Sequence, residues 1–443
     1  MTVRFVDIVE RSTETLPYET PPPSVRAQLN RALDGRVKLT WLADEQVRVE
    51  TTQWVGVVGL PDGRVLRIVP KLAGGSLNVI AMIGLVSGLD ISDLRSLSSD
   101  LETKTGDNAR TLLENLLVSA AHDILVGGPM QSYREASEDL GFLRGRLDLT
   151  RQVSTHFNRI DRLACEFDEF DHDIIENHVI AAALRIVVQR TDDKGLKLRA
   201  HLLMEDFEAL APTPIGPADV ARKSIVYHRG NDHYRAAHVW SFALLGDARL
   251  DDLFHRGGDR TSAFLINMDR LFERFVGWLL DEAFRDSHAA VHPQHRKNTI
   301  LRSNGKQWKS IRPDYLVEVG PERVAVDAKY KRYQSNKISV SDAYQLLIYA
   351  QAFPRGTTRP TSLLVYPHDN SVEHGTVDLQ PDGSTIASIE ILGVPLKTLL
   401  DELRSESRSV RDRVSSEIRG ILPFLARLGV SDGPLNGLPS RHL

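Results

Sequence analysis

Three residues in the last third of the chain have types and spacing suited to metal-assisted hydrolysis: Asp314, preceded by Pro313, and thirteen positions beyond it the run Asp327-Ala328-Lys329. In a strand, residues two apart face the same side, so Asp327 and Lys329 are expected to project together while Val326 and Ala328 turn towards a core. Gly320-Pro321-Glu322 lies between the two halves and predicts a turn. That turn folds the Asp314 strand back along the Asp327 strand and brings the two carboxylates within reach of one cation. Two hard oxygen anions on a rigid sheet suit Mg²⁺, with water and a substrate phosphate completing the octahedron. Such an ion stabilises charge on a scissile phosphate and helps to ionise the attacking water, while Lys329 orients that water or neutralises developing charge. The competing explanation of the same residues is a surface salt bridge on a solvated sheet.

The surroundings favour the chemical explanation. From Gln294 to Lys337 there are eleven Lys and Arg residues against four acids, although the whole chain carries a formal net charge of −4. A local basic stretch of this kind, including Lys306, Lys309, Arg312 and Lys331, is expected to hold a nucleic-acid backbone through its phosphates. Upstream, the apolar positions Met268, Leu271, Phe272, Phe275, Val276, Leu279 and Leu280 trace one face of a helix, with Glu273 at its polar border. Downstream, Ser339 or Ser341 is expected to cap a helix containing Tyr344-Gln345-Leu346-Leu347. Helix, strand meander, helix is a mixed α/β order.

The rest of the chain positions this part. At 443 residues, with 42% hydrophobic and 26% charged residues, it has the composition of a folded protein and the length for several domains. Trp54 to Leu60 and Arg64 to Pro70 flank the turn signal Pro61-Asp62-Gly63, and a helix is expected from Asp107 to Val126, ended by Gly127-Gly128-Pro129. Ile174 to Gln189 and Ala237 to Leu245 have helical periodicity, whereas Gly141-Phe-Leu-Arg-Gly-Arg146 reads as a turn entering a strand. Asp168, Glu169, Asp171 and Asp173 form an acidic cluster without the glycine and terminal Glu of a calcium loop, with Asp173 expected as a helix cap. The expected class is α+β multidomain. It comprises a β-rich domain at 1–130, a mainly helical region at 131–260, a mixed α/β domain at 261–400, and a helical extension and tail at 401–443. Charges interrupt the apolar start of the chain and no apolar run is of membrane length, so a cytoplasmic protein away from the membrane is expected. Cys165, the single cysteine, excludes an internal disulfide and fits a reducing compartment.

Pro313-Asp314 with Asp327-Ala328-Lys329 resembles the PD-(D/E)xK nuclease motif. Together with Met268-Asp-Arg-Leu-Phe-Glu-Arg-Phe-Val276, Leu66-Arg-Ile-Val-Pro-Lys71, Leu143-Arg-Gly-Arg146 and Asn231-Asp-His-Tyr234, it resembles the McrC subunits of McrBC-type restriction systems across most of residues 50–353. The resemblance implies a PD-(D/E)xK endonuclease domain in which Asp314 and Asp327 bind Mg²⁺ and Lys329 is catalytic. It also implies that Glu273 matches the acid of the first core helix. Gln345 and Tyr349 resemble the Gln-x-x-x-Tyr pair of RecB-like nucleases, which implies contact with DNA. It further implies a partner, an McrB-like AAA+ GTPase whose hydrolysis the chain stimulates in phage defence. No Gly-x-x-x-x-Gly-Lys-Ser/Thr loop occurs in the sequence, so a motor would have to be another chain, with residues 1–130 the expected docking part. Two alternatives remain: a free-standing nuclease of repair or phage defence, and a non-catalytic activator of an NTPase.

Overall fold

The computed structural model describes residues 5–91, 109–159, 161–215, 225–245, 254–256, 263–295, 297–304, 306–320, 322–333, 338–353, 359–405 and 409–421. The chain forms two compact units, Met1–Val69 with Asp100–Asn267, and Pro70–Ser99 with Met268–Leu443. This division runs across the boundary expected at 130, while its break between Asn267 and Met268 falls a few residues beyond the one expected at 260. Long-range strand pairing, which local composition does not encode, brings 263–267 back to a strand near residue 56.

The first unit begins with strands Phe5–Val9 (β1) and Thr13–Pro17 (β2), helix Pro23–Leu33 (α1), and strands Val37–Leu42 (β3), Gln46–Thr51 (β4), Trp54–Gly59 (β5) and Val65–Val69 (β6). β5 and β6 pair as the expected hairpin, and Gly63 at φ 84° supplies the backbone conformation its turn needs. Helix Ser76–Val86 (α2) belongs to the second unit. The first unit resumes with helix Ala109–Gly127 (α3), strands Ser132–Leu140 (β7) and Arg146–Leu147 (β8), helix Leu149–Thr155 (α4) and strand Leu163–Asp171 (β9). Helices Ile175–Arg190 (α5), Lys194–Leu210 (α6) and Arg235–Leu245 (α7) and strands Phe254–Arg256 (β10) and Ala263–Asn267 (β11) complete it. The sheet order β1-β6-β5-β11-β10 and the antiparallel sheet β2-β4-β3 share one core of Ile8, Leu33, Val49, Val58, Leu66, Ile68 and Leu265.

The middle region is mainly helical in its described elements but also holds a three-stranded sheet of β7, β8 and β9 between α3 and α5. Alternation in β9 is blurred by its run of acids, which the side chains of the opposite strand answer. Arg134 of β7 pairs with Glu169, Asp171 and Asp173, and Arg144 with Glu169. Asp173 does not cap α5, whose first flanking residue is Ile174. Its carboxylate accepts instead from His178 Nε2 at 2.7 Å and Thr213 Oγ1 at 2.6 Å. The Asn231 and Tyr234 side chains are fully buried; the Tyr234 hydroxyl donates to Asn177 Oδ1 at 2.8 Å and accepts from the Met130 N–H at 2.7 Å.

The second unit continues from α2 with helix Met268–Phe284 (α8) and strands Ala290–Pro293 (β12), Lys297–Ser303 (β13), Lys306–Ile311 (β14), Tyr315–Val319 (β15) and Glu322–Ala328 (β16). Helix Val340–Ala352 (α9), strands Thr361–His368 (β17), Glu373–Leu379 (β18) and Ala387–Pro395 (β19), and helices Leu396–Arg404 (α10) and Ser409–Ile421 (α11) follow. Its six-stranded mixed sheet has the order β12-β15-β16-β17-β19-β18, and β13 and β14 form a separate hairpin. α9 packs on one face through Leu316, Ala325, Leu346, Tyr349, Leu364 and Ile391. Residues of opposite parity, such as Tyr315 and Val326, are also buried, so both faces are covered. The helical extension contains the end of α10 and α11. Val414, Ile418 and Ile421 are buried, and α11 packs on α8, where Arg411 pairs with Glu282. Residues 431–443 lie outside the described residues. No described helix is long and apolar enough to cross a membrane.

Candidate active site

β15 and β16 are antiparallel with Tyr315 opposite Val326, so the next step of that register sets Asp314 opposite Asp327. Directly opposed residues share a face. The intervening turn includes Gly320 at φ 57°, a conformation that glycine adopts without strain. Ala328 N–H donates to Asp314 Oδ2 at 2.8 Å, which holds that carboxylate across the end of β16, and Lys329 N–H donates to Val365 O at 3.0 Å, which extends the pairing with β17. Lys329 Nζ lies 2.7 Å from Asp327 Oδ2. The expected common face of Asp314, Asp327 and Lys329 is therefore present.

The face is not solvated, as a polar sheet surface would be. Ala325 and Leu316, of the same parity as Asp327 and Asp314, belong to the core beneath α9, and Asp327 is 2% exposed. Burial, aided by the charges of Asp327 and Glu273, pushes the Asp314 carboxyl up to about 7 despite the Ala328 N–H and Lys329. Burial also raises Asp327, against the pull of Lys329. For Lys329 burial opposes the charge, but Asp327 and Asp314 outweigh it and hold the ammonium above its ordinary range. Among the described residues, the Lys329 ammonium at 2.7 Å is the one donor near Asp327 Oδ2, and its alignment for a hydrogen bond is poor. A buried carboxylate oxygen held by a single poorly aligned donor has acceptor capacity left for a cation. Among the described residues, no three His, Cys, Asp or Glu side chains are grouped closely enough to hold an ion alone. Two carboxylates, water and a substrate oxygen would make up the shell.

Glu273 projects from α8 and is felt electrostatically by Asp314 and Asp327, with its own oxygens engaged by Arg270 Nη1 at 2.9 Å and Gln294 Nε2 at 3.0 Å. What lets α8 approach is Gly277: a Cβ there would fall 2.3 Å from the Tyr315 hydroxyl. The Tyr315 ring, next to Asp314, occupies the space a larger residue would fill, and burial raises its hydroxyl pKa. Neither residue stood out in the sequence, because a glycine inside an apolar helix signals close packing only once its neighbour is known.

The other expected contacts divide. Tyr349 is 5% exposed, accepts from Gln345 Nε2 at 2.8 Å and donates to Arg312 O at 3.1 Å, so it braces the segment entering Asp314. Lys331 is paired at 2.5 Å with Asp342, which also accepts from Tyr333 and Ser339; these bonds, against burial, keep the Asp342 carboxyl low. Ser339 caps α9, and Ser339-Val-Ser-Asp342 has the spacing of a capping box, a signal that could have found Asp342. Lys306 and Arg312 are exposed. Lys309 lies on β14, but its side chain is outside the described residues, as are Arg296 and Lys337.

Residues 49–367 match the family described as McrBC 5-methylcytosine restriction system component. The chain belongs to that family. No curated protein shows a significant match. Among solved structures, the chain is similar to one in the refined half-complex from a tetradecameric assembly of Thermococcus gammatolerans McrB AAA+ hexamers with bound McrC. That likeness has 17% identity and a TM-score of 0.59, and covers 94% of this chain and 100% of the other. It is also similar to a chain in the Thermococcus gammatolerans McrBC complex, with 18% identity, a TM-score of 0.42, and coverage of 63% and 88%. At these identities the first likeness is one of fold.

Proposed function

We propose that this McrBC-family chain is the Mg²⁺-dependent endonuclease subunit of an NTP-dependent restriction system, with a PD-(D/E)xK centre at Asp314, Asp327 and Lys329. The observation that carries the reading is the pairing of half-buried Asp314 with buried Asp327, two carboxylates on one face with, among the described residues, the Lys329 ammonium 2.7 Å from Asp327 Oδ2 as their nearby counter-charge. Asp314 and Asp327 would hold the cation. When bound, Mg²⁺ would stabilise charge on the scissile phosphate and lower the pKa of the attacking water. Lys329 would orient that water: the water oxygen forms a bond to phosphorus and a proton passes to solvent, while one P–O ester bond breaks and its leaving oxygen takes a proton from solvent, giving a phosphate end and a hydroxyl end. Glu273 supports the negative potential that attracts the cation, and exposed Lys306 and Arg312 would neutralise flanking DNA phosphates.

The chain would dock on an AAA+ GTPase and stimulate it through its first unit. In support, a chain of similar fold is seen in an assembly of McrB hexamers with McrC, and this sequence lacks a nucleotide loop. Residues 1–130 carry the Pro61-Asp62-Gly63 tip expected to meet the ring. The adjoining β7–β9 segment adds exposed Phe142, Leu143, Leu149 and Phe157, with relative exposures of 57–77%. A fragment ending at 130 would lose β11, which pairs with β5, so the test uses the full chain. DNA is incubated with the chain, with and without Mg²⁺ and the AAA+ partner. Cleavage that needs both supports the reading. Cleavage without a partner would favour a free-standing nuclease, and NTPase stimulation without cleavage under any condition would favour a non-catalytic activator.

A further inference from the structure

We propose that Gln294 is a positioning residue that ties the Asp314 strand to Glu273 and so fixes the geometry of the metal site. The inference rests on the nuclease reading above and adds a residue whose type and spacing carried no signal. β12 runs antiparallel to β15 with Pro293 opposite Tyr315, which leaves Gln294 opposite Asp314. Its backbone N–H donates to the Asp314 carbonyl at 2.7 Å. Its side-chain Nε2 donates to Glu273 Oε1 at 3.0 Å. One residue thus grips the backbone of a metal-site carboxylate and the side chain of the neighbouring acid on α8.

Its conformation marks the same point. Gln294 has φ 48°, in the left-handed region that side chains other than Gly, Asn and Asp seldom enter. Such a conformation persists where surrounding contacts impose it, and it gathers at functional sites. A glycine would make this turn with less strain. The long amide is what the turn does not need and what the reach to α8 does. Because Arg270 holds the other oxygen of Glu273 at 2.9 Å, the carboxylate is fixed from both sides beside Asp314. Groups that orient the surroundings of a metal ligand in this way commonly govern metal affinity.

The test uses the full chain and Mg²⁺ alone as probe, without DNA or nucleotide. It reads the Mg²⁺ concentration that gives half of the metal-induced rise in Tm. Gln294→Ala and Gln294→Gly should both raise that concentration by about tenfold. Gln294→Met keeps the length without a donor for Glu273 and without a change of charge, and should raise it as much; it also serves if a shortened side chain fails to fold. The Mg²⁺ dependence of cleavage should shift in parallel. A merely structural role would lower the metal-free Tm of Gln294→Ala, be relieved in Gln294→Gly, and leave half-saturation where it was. That result would overturn the inference while the nuclease reading stood, provided the wild-type rise is lost in Asp327→Ala. No metal-induced rise in the wild type, or one that Asp327→Ala retains, would bring down both.

Discussion

Asp173 in the first unit and Asp327 in the second are both buried acids, and their surroundings treat the charge in opposite ways. Around Asp173, Thr213 donates from its N–H at 3.1 Å and its hydroxyl at 2.6 Å, and His178 Nε2 sits at 2.7 Å. Burial opposes the carboxylate, but these donors prevail and its pKa falls. Asp327 has one lysine, poorly aligned at 2.7 Å, and a second acid opposite; burial prevails and its pKa rises. A satisfied buried acid organises its own loop. An unsatisfied one stores a cost that a ligand can relieve.

Removing the two acids separately should break the comparison most visibly. Asp327→Ala should lower Mg²⁺-dependent cleavage by about a thousandfold or more while leaving the metal-free Tm unchanged or higher. Asp173→Ala should instead reduce stability by roughly 2–3 kcal/mol, because His178 and Thr213 lose their acceptor, and leave cleavage per folded molecule near normal. Cleavage assays beside thermal denaturation decide it, and the reverse pattern would exchange the roles.

The pH dependence sharpens the same contrast. Folded Asp314 keeps its proton up to about pH 7, whereas an unfolded aspartate releases it near pH 4. Between those values the folded state binds more protons, so this contribution to stability is full below about pH 4 and is lost as pH rises through 7. Metal-free Asp314→Asn should therefore be more stable than wild type at pH 8, by on the order of 2 kcal/mol, with a flatter profile. Since Mg²⁺ must displace that proton, wild-type affinity for the ion should weaken below pH 7. Denaturation and Mg²⁺ titrations at pH 5 and pH 8 check both signs.

Two smaller effects test how the site is framed. Gly277→Ala should drive the Tyr315 ring out of its space, cost roughly 1–3 kcal/mol and lower cleavage about tenfold, with DNA binding retained. Removing the charge of Lys306 should reduce the slope of log DNA affinity against log salt by about one and leave the Mg²⁺ dependence alone. An unchanged slope would take Lys306 out of the DNA path.

Local signals were legible in the sequence where local geometry governs. The β5–β6 hairpin, the Ser339 cap and the shared parity of Asp314, Asp327 and Lys329 all follow from turn chemistry, capping and strand period. Depth was not legible: alternation around Asp327 reads as a solvated sheet face, yet α9 comes from later in the chain and covers it. The division into units was hidden for the same reason, since β11 joins β5 across some 200 intervening residues. Gly277 and Gln294 act through partners on other elements and have no spacing signature of their own.

The most direct test of the account follows two activities of one variant. Full-length Asp314→Ala is mixed with the AAA+ partner, GTP, Mg²⁺ and DNA, and GTP turnover and DNA cleavage are read together. The account predicts stimulation of GTP turnover at the wild-type level with cleavage abolished. Cleavage at the wild-type rate would contradict it, because the half-buried carboxylate opposite Asp327 would then be unnecessary to the chemistry.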